Sequence, residues 1–402
     1  MKPFLQPLNI PTAQYETLAR MAAETLAGCR AVADDGTPIY RPDASGHYDA
    51  LWTRDFCYML EGAGNLIDPA EALAGIDFIL SRQREDGTIP DRITASGEPI
   101  YLAGPVDRPL GRSAPTDNGP FMVKLVAAYV KLTGDLDAFL ARRSNLYSAV
   151  DRVPLSTDML VFIDPNRPHP DYGFTDCVAK TGNVWFGTIL YWEACQTLAK
   201  LCARCEYHDE AHSWYEQAEH TSRRMGDFWD ERIGLYRAAS EDCNQLDLWG
   251  SVYACVIRAA SKSHTARIAE YLAAHWDRCV LHGQLRHLPG SEHWRRLIAD
   301  VPRGTYQNGG FWATPTGWLA KTMRALDEAW GRRVIDEVTA DFEANGVCEW
   351  IGPREHCLPG YGASIANVLG AVQPSKKLDL PAEGPEADTE SSDVDEDGED
   401  RA

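Results

Sequence analysis

Carboxylates and amides set beside aromatic rings recur at six separated places in the chain. These are YDALWTRDF (48–56), PTDNGPF (115–121), YGFTDCVAKTGN (172–183), NQLDLWG (244–250), TYQNGGFW (305–312) and CEWIGPREHCLPGYGAS (348–364). Such a mixture suits a polyhydroxylated ligand. Hydroxyls need carboxylate, amide and guanidinium partners, and apolar C–H faces stack on Trp and Tyr in a concave site. Helix capping alone explains isolated Asp, Thr and Asn, but not the recurrence of Trp52, Trp249, Tyr306, Trp312 and Trp350 at equivalent places. The chain has no G-x-G-x-x-G or P-loop, no G-x-S-x-G elbow and no H-E-x-x-H helix. His47, His208, His212, His287 and His356 form no metal or triad pattern, and Cys202-x-x-Cys205 lacks a second pair at zinc spacing. The expectation is chemistry without a metal or cofactor: acid/base work by two carboxylates, one protonating a leaving oxygen and the other activating water.

Helices must position these segments. Apolar residues at i, i+3, i+4 and i+7, as in EALAGIDFILSRQ and FMVKLVAAYVKL, predict twelve helices. They fall at about 12–30, 49–66, 68–82, 117–134, 135–150, 181–206, 208–228, 247–262, 265–276, 311–327, 331–344 and 362–372. Asp68-Pro69 reads as an N-cap followed by a first-turn proline. Strand signals are few and short. The connections alternate in length, the long ones being 31–48, 83–116, 151–180, 229–246, 277–310 and 345–361. Each leads into an even-numbered helix, and loops of this size inside a compact domain tend to be functional. The pattern predicts an all-α, (α/α)6 toroid of six helical hairpins over residues 1–373, with the six aromatic–carboxylate segments on one rim.

Bulk composition narrows the partners. The formal charge is −20, but residues 379–402 hold eleven Asp and Glu against Arg401, so half of it sits in the terminal segment. The remainder is mildly acidic, which argues against nucleic acid. Residues 374–402 lack aromatics and are predicted to be a disordered acidic tail, read as a solubility segment or as a site for a protein partner with Ser391 and Ser392 phosphorylatable. No run of about 18 apolar residues predicts a membrane helix. With no apolar stretch behind a basic start, and an odd eleven cysteines set mostly in apolar segments, the expectation is a cytoplasmic protein with reduced thiols.

At these motifs the chain resembles the inverting six-hairpin glycosidases: glucoamylases, family 37 trehalases, and family 63 with its mannosylglycerate and glucosylglycerate hydrolases. LWTRD (51–55) resembles the Trp-x-Arg-Asp segment that grips the non-reducing sugar in glucoamylases. The resemblance implies hydroxyl-binding roles for Arg54 and Asp55, with Trp52 in the pocket wall. YGFTDCVAKTGNVWF resembles the segment that carries the general acid, and its central carboxylate is Asp176. TYQNGGFW, with Tyr306, Gln307, Asn308 and Trp312, resembles a substrate-contacting rim segment. Glu349-Trp350, followed by Gly360-Tyr361-Gly362, fits the order around the general base of trehalases and family 63, with Glu355 a second candidate base. The spacer is shorter than in those families, and Tyr361 stands where Trp is usual.

The resemblance covers about residues 40–372 and implies an inverting hydrolase of a small α-linked glucoside or mannoside. Asp176 would be the acid and Glu349 the base. Asp55 is alternatively an ion-pair partner of Arg54, Asp117, Asn118 and Asp247 are either caps or ligands, and Asp91 either contributes from its loop or stabilises a turn. The same fold with phosphorylase, epimerase or lyase chemistry, or a carbohydrate-binding protein without catalysis, are the rival expectations.

Overall fold

The computed structural model describes residues 6–375, so the acidic segment 376–402 lies outside the described residues. Twelve helices of two turns or more are present among them. They are α1 Thr12–Cys29, α2 Thr53–Ala63, α3 Pro69–Leu80, α4 Asn118–Thr133, α5 Leu136–Asp151 and α6 Trp185–Arg204 in the first half. α7 His208–Ser222, α8 Leu248–Ile257, α9 Lys262–Ala274, α10 Thr316–Met323, α11 Glu328–Asn345 and α12 Gly362–Leu369 complete the set. Their starts follow local chemistry. Asp68 accepts the Ala70 N–H with Pro69 in the first turn, and Asp135, Asp247, Ser261 and Asp327 cap α5, α8, α9 and α11 in the same way.

The even-numbered helices pack in a closed circuit. α2 touches α4, α4 touches α6, α6 touches α8, α8 touches α10, α10 touches α12, and α12 returns to α2. The odd-numbered helices lie outside, α1 on α12, α3 and α5 on α4, α7 on α6, α9 on α8 and α10, and α11 on α10. Burial has the same logic. Twelve of the sixteen residues of α4 are buried, whereas α7 buries only Trp214, Ala218 and Thr221. A helix apolar on most sides must sit inside, and one with a single stripe covers it.

The all-α expectation needs correction at the rim, where the long connections carry short strands. A five-stranded antiparallel sheet joins Val280–Leu281, Gln284–Arg286, Phe311–Trp312, Cys348–Gly352 and Glu355–Pro359 in that order. A three-stranded sheet joins Ala50–Trp52, Arg92–Thr94 and Pro99–Ile100. Several strands are only two or three residues long, too short for alternation to register in sequence. Leu8–Ile10 and Val372–Pro374 pair in parallel, tying the first and last described segments together. All eleven cysteines are free thiols, nine of them buried. No helix among the described residues is long and apolar enough to cross a membrane.

Candidate active site

The loops that enter α2, α4, α6, α10 and α12 meet at a cavity of about 410 Å3. Nine predicted residues line it: Trp52, Arg54, Asp55, Asp176, Tyr306, Gln307, Trp312, Glu349 and Tyr361. Each is held by an identifiable element. Trp52 ends a strand whose register places it opposite Arg92, and the Arg92 guanidinium lies 5.3 Å from its ring. Glu349 stands on the strand Cys348–Gly352, and its neighbour Trp350 lies against Gly310, outside the cavity lining. Trp312 pairs with Trp350 in register and contributes its ring from the next strand. Tyr361 immediately precedes α12, and its hydroxyl donates to Asp55 Oδ1 at 2.6 Å.

The two expected acid/base carboxyls come from segments 173 positions apart and share this cavity. Asp176 follows a single 3-10 turn, Gly173–Thr175, and its Oδ1 accepts from Gln307 Nε2 at 2.9 Å. Gln307 Oε1 in turn accepts the Cys177 N–H at 3.0 Å, so one amide fixes both the Asp176 carboxyl and the backbone beside it. Glu349 Oε1 accepts from the Tyr48 hydroxyl at 2.9 Å, and that hydroxyl lies 3.4 Å from the hydroxyl of Tyr306. Tyr48 is not among the residues predicted from sequence.

Burial dominates the electrostatics. Asp176 is pushed up to about 6 by loss of solvation, with the Arg54 guanidinium and the Gln307 hydrogen bond pulling the other way. Asp55 is raised to about 6 for the same reason, opposed by Arg54 and Tyr361. Glu349 is lifted well above the carboxylate range by burial. The Tyr48 hydrogen bond opposes this rise, and Asp55, Asp176 and Asp43 add to it. Two carboxyls raised to different extents in one cleft allow one to hold a proton while the other is ionised.

Beneath the cavity lies the support for Arg54, itself only 3% exposed. Its terminal nitrogens donate to Asp91 Oδ1 at 2.6 Å and Asn118 Oδ1 at 3.0 Å, and Asp117 Oδ1 lies 3.8 Å away. Asp91 also accepts from Arg92 at 3.0 Å, so one buried carboxylate bridges two guanidiniums that line the cavity. Asp117, raised to about 7 by burial, accepts the Gly173 N–H at 2.8 Å and thereby links α4 to the turn before Asp176.

Gly173 has to be glycine here, because a Cβ would fall 1.6 Å from Arg54 Nε. Gly173→Ala is therefore expected to displace Arg54 and the Asp176 turn. The expected loss is about a hundredfold or more in kcat/KM, the scale of an ångström's misplacement of reacting groups. Steady-state kinetics together with circular dichroism checks it, since activity should fall with the helical signal retained.

The remaining predicted residues stand apart from the cavity wall. Asp91, Asp117 and Asn118 are held beneath it as described. Asp247 caps α8, accepting the Gly250 N–H at 2.9 Å. Trp249 is fully buried and stacks on His287 at 4.0 Å, buttressing Trp312 from behind. Asn308 holds its own loop, accepting from the Trp294 N–H and donating to Val301 O at 2.9 Å each. Glu355 is exposed on the outermost strand of the five-stranded sheet. Besides Tyr48, the cavity recruits Pro42, Arg92, Gly104, Pro105, Leu110, Phe174, Cys177, Ala299 and Val301. Tyr48 opens the YDALWTRD segment, and its place there is the signal that could have found it. The apolar members carry no signal that separates them from core.

No protein-family model matches the chain, and no curated protein does. Solved structures share its fold. The glycoside hydrolase family 63 mannosylglycerate hydrolase from Thermus thermophilus, in complex with glucose, is 16% identical over 88% of this chain and 99% of its own, with a TM-score of 0.65. A rhamnosidase from Klebsiella oxytoca with rhamnose bound is 12% identical over 90% of this chain and 64% of its own, with a TM-score of 0.63. A glycosidase variant in complex with glucose is 17% identical over 90% and 98% of the two chains, with a TM-score of 0.62. At such identities the likeness is one of fold, and it is to glycosidase folds.

Proposed function

We propose that this protein is an inverting glycoside hydrolase, its ring of paired helices an (α/α)6 toroid of six hairpins. Its substrate is a small α-linked glucoside or mannoside held in a pocket. The observation that carries the proposal is the pairing of two desolvated carboxyls, Asp176 and Glu349, in one cavity walled by Trp52, Tyr306, Trp312 and Tyr361. The fold shared with glycosidases supports it, as does the match of LWTRD to a sugar-gripping segment.

Asp176 protonates the glycosidic oxygen. Glu349, ionised and oriented by Tyr48, takes a proton from a water molecule that attacks the anomeric carbon from the opposite face. Asp55, with Tyr361 on one oxygen, receives sugar hydroxyls on the other. An assignment with the two roles exchanged has one observation in its favour. Glu349 sits among Asp43, Asp55 and Asp176 and is lifted further, whereas Asp176 faces Arg54 and Arg92.

Hydrolysis is tested with 4-nitrophenyl α-glucoside and α-mannoside beside glucosylglycerate, mannosylglycerate, trehalose, maltose and kojibiose. Release of free sugar from at least one is expected, and no release from any would overturn the proposal.

In either assignment the active form carries one proton on two carboxyls. As pH falls through about 6, where the Asp176 carboxyl takes up its proton, the pair becomes doubly protonated and loses its base. The expected kcat/KM profile is therefore a bell whose acidic limb lies near pH 6. An acidic limb near pH 4, the range of a solvated carboxylate, would show that burial does not set the titration of the pair.

A further inference from the structure

We infer that the leaving-group side of this cavity accepts an apolar aglycone, an alkyl or alicyclic alcohol, and disfavours a second sugar or a carboxylate-bearing alcohol. The inference rests on the assignment of Asp176 as proton donor, because the leaving oxygen must lie beside the group that protonates it. Around Asp176 the cavity wall carries Arg54, Arg92 and Gln307 together with an apolar stretch. Cys177 follows it directly, and the Cys177 carbonyl accepts the Ile298 and Ala299 N–H groups at 2.7 and 3.4 Å, bringing Ala299 and Val301 to the wall. Asn308 fixes Val301 by its carbonyl, next to the Gln307 that holds Asp176. The facing segment brings Gly104, Pro105 and Leu110, pinned by the Leu110 N–H to Ala103 O at 2.8 Å.

Much of the polar lining is already paired within the protein. Asp55 pairs with Tyr361, and Glu349 with Tyr48, whose hydroxyl neighbours that of Tyr306. Asp107 and Arg108 of the Gly104–Leu110 segment are exposed and outside the cavity lining, and the lining cation held against that segment is Arg92, whose terminal nitrogens are committed to Asp91 at 3.0 Å and Gly104 O at 2.6 Å. A carboxylate or a ring of hydroxyls placed there would lose hydration without gaining partners, which costs more than an alkyl chain gains. Leu110 is 8% exposed, so the wall is built into the fold.

The test uses methyl, hexyl, cyclohexylmethyl, glyceryl and glycerate α-glycosides of whichever sugar the protein cleaves, with the full chain. Methyl, hexyl and cyclohexylmethyl alcohols leave with similar basicity, so their differences report contacts with the wall. The expected kcat/KM for the hexyl and cyclohexylmethyl compounds exceeds that for the methyl and glycerate compounds by about tenfold or more, the scale of one or two methylenes in a fitted pocket. Val301→Asn and Leu110→Asn should each shrink that ratio, and a ratio taken within one preparation is insensitive to the fraction folded. Equal or faster cleavage of the glycerate compound, or a ratio unmoved in both variants, would overturn the inference while leaving glycoside hydrolysis intact. No cleavage of any compound would overturn the hydrolase assignment, and the inference with it.

Discussion

Asp176→Asn is expected to lower kcat/KM on an alkyl glycoside by about a hundred- to ten-thousandfold, yet to turn over the matching α-glycosyl fluoride within about tenfold of the wild type. Fluoride is a weak base and leaves without a proton, so a variant that lacks only the acid keeps its chemistry. Glu349→Gln should lose a comparable factor on both compounds, because each still needs water activated from the opposite face. The comparison reads the roles independently of pH, which matters because burial raises both carboxyls. Rescue of Glu349→Gln by the fluoride, with Asp176→Asn inactive on it, would exchange the roles. Full activity of either variant on alkyl glycosides would remove that residue from the mechanism. Both substitutions are near-isosteric and keep a hydrogen-bonding group toward Gln307 or Tyr48, so the fold should survive them.

Arg54→Met should destabilise the protein by about 3–5 kcal/mol and abolish activity. That figure is the expected scale for removing one partner of a buried ion pair and leaving the other charge uncompensated. Arg54 is 3% exposed, and Asp91 and Asp117 are 1% and 0% exposed. Without the guanidinium, Asp91 keeps only Arg92, and Asp117, already raised to about 7, loses the cation that favours its charged form. Arg54→Lys should recover little, since a single ammonium cannot reach Asp91, Asn118 and Asp117 with the fork that Arg54 uses. Adding Asp91→Asn to Arg54→Met should recover part of the loss by removing one unpaired charge. Urea unfolding followed by circular dichroism measures all three variants. A loss below about 1 kcal/mol for Arg54→Met would place the cluster in an environment far wetter than its burial indicates.

Much of this is legible in the sequence, for reasons particular residues make plain. Helices such as Leu136–Asp151 announce themselves through a capping Asp135 and an apolar stripe, so their number and order follow from periodicity. The alternation of long and short connections indicates which loops share a rim. Other features are not readable. Asp247 and Asp117 read in sequence equally as caps or as ligands, because both roles use the same residue type at the same helix end. In the structure Asp247 accepts the Gly250 N–H as a helix cap, and Asp117 accepts the Gly173 N–H of another segment instead of capping α4. Trp249 and Trp350 share the aromatic signature of Trp312, yet one packs edge-on against it and the other lies against Gly310. Tyr48 stands at the head of the YDALWTRD segment, but its partner Glu349, 301 positions away, is visible only in the structure. The apolar wall of Leu110, Ala299 and Val301 reads as ordinary core until the cavity gives it a function.

Proton NMR of the anomeric region, recorded from the first minutes after mixing the protein with a cleaved α-glycoside, tests the central claim most directly. Attack by water drawn from the face opposite Asp176 predicts that the β-anomer of the free sugar appears first, with the α-anomer growing only as mutarotation proceeds. First appearance of the α-anomer would mean net retention, and would contradict the roles given to Asp176 and Glu349.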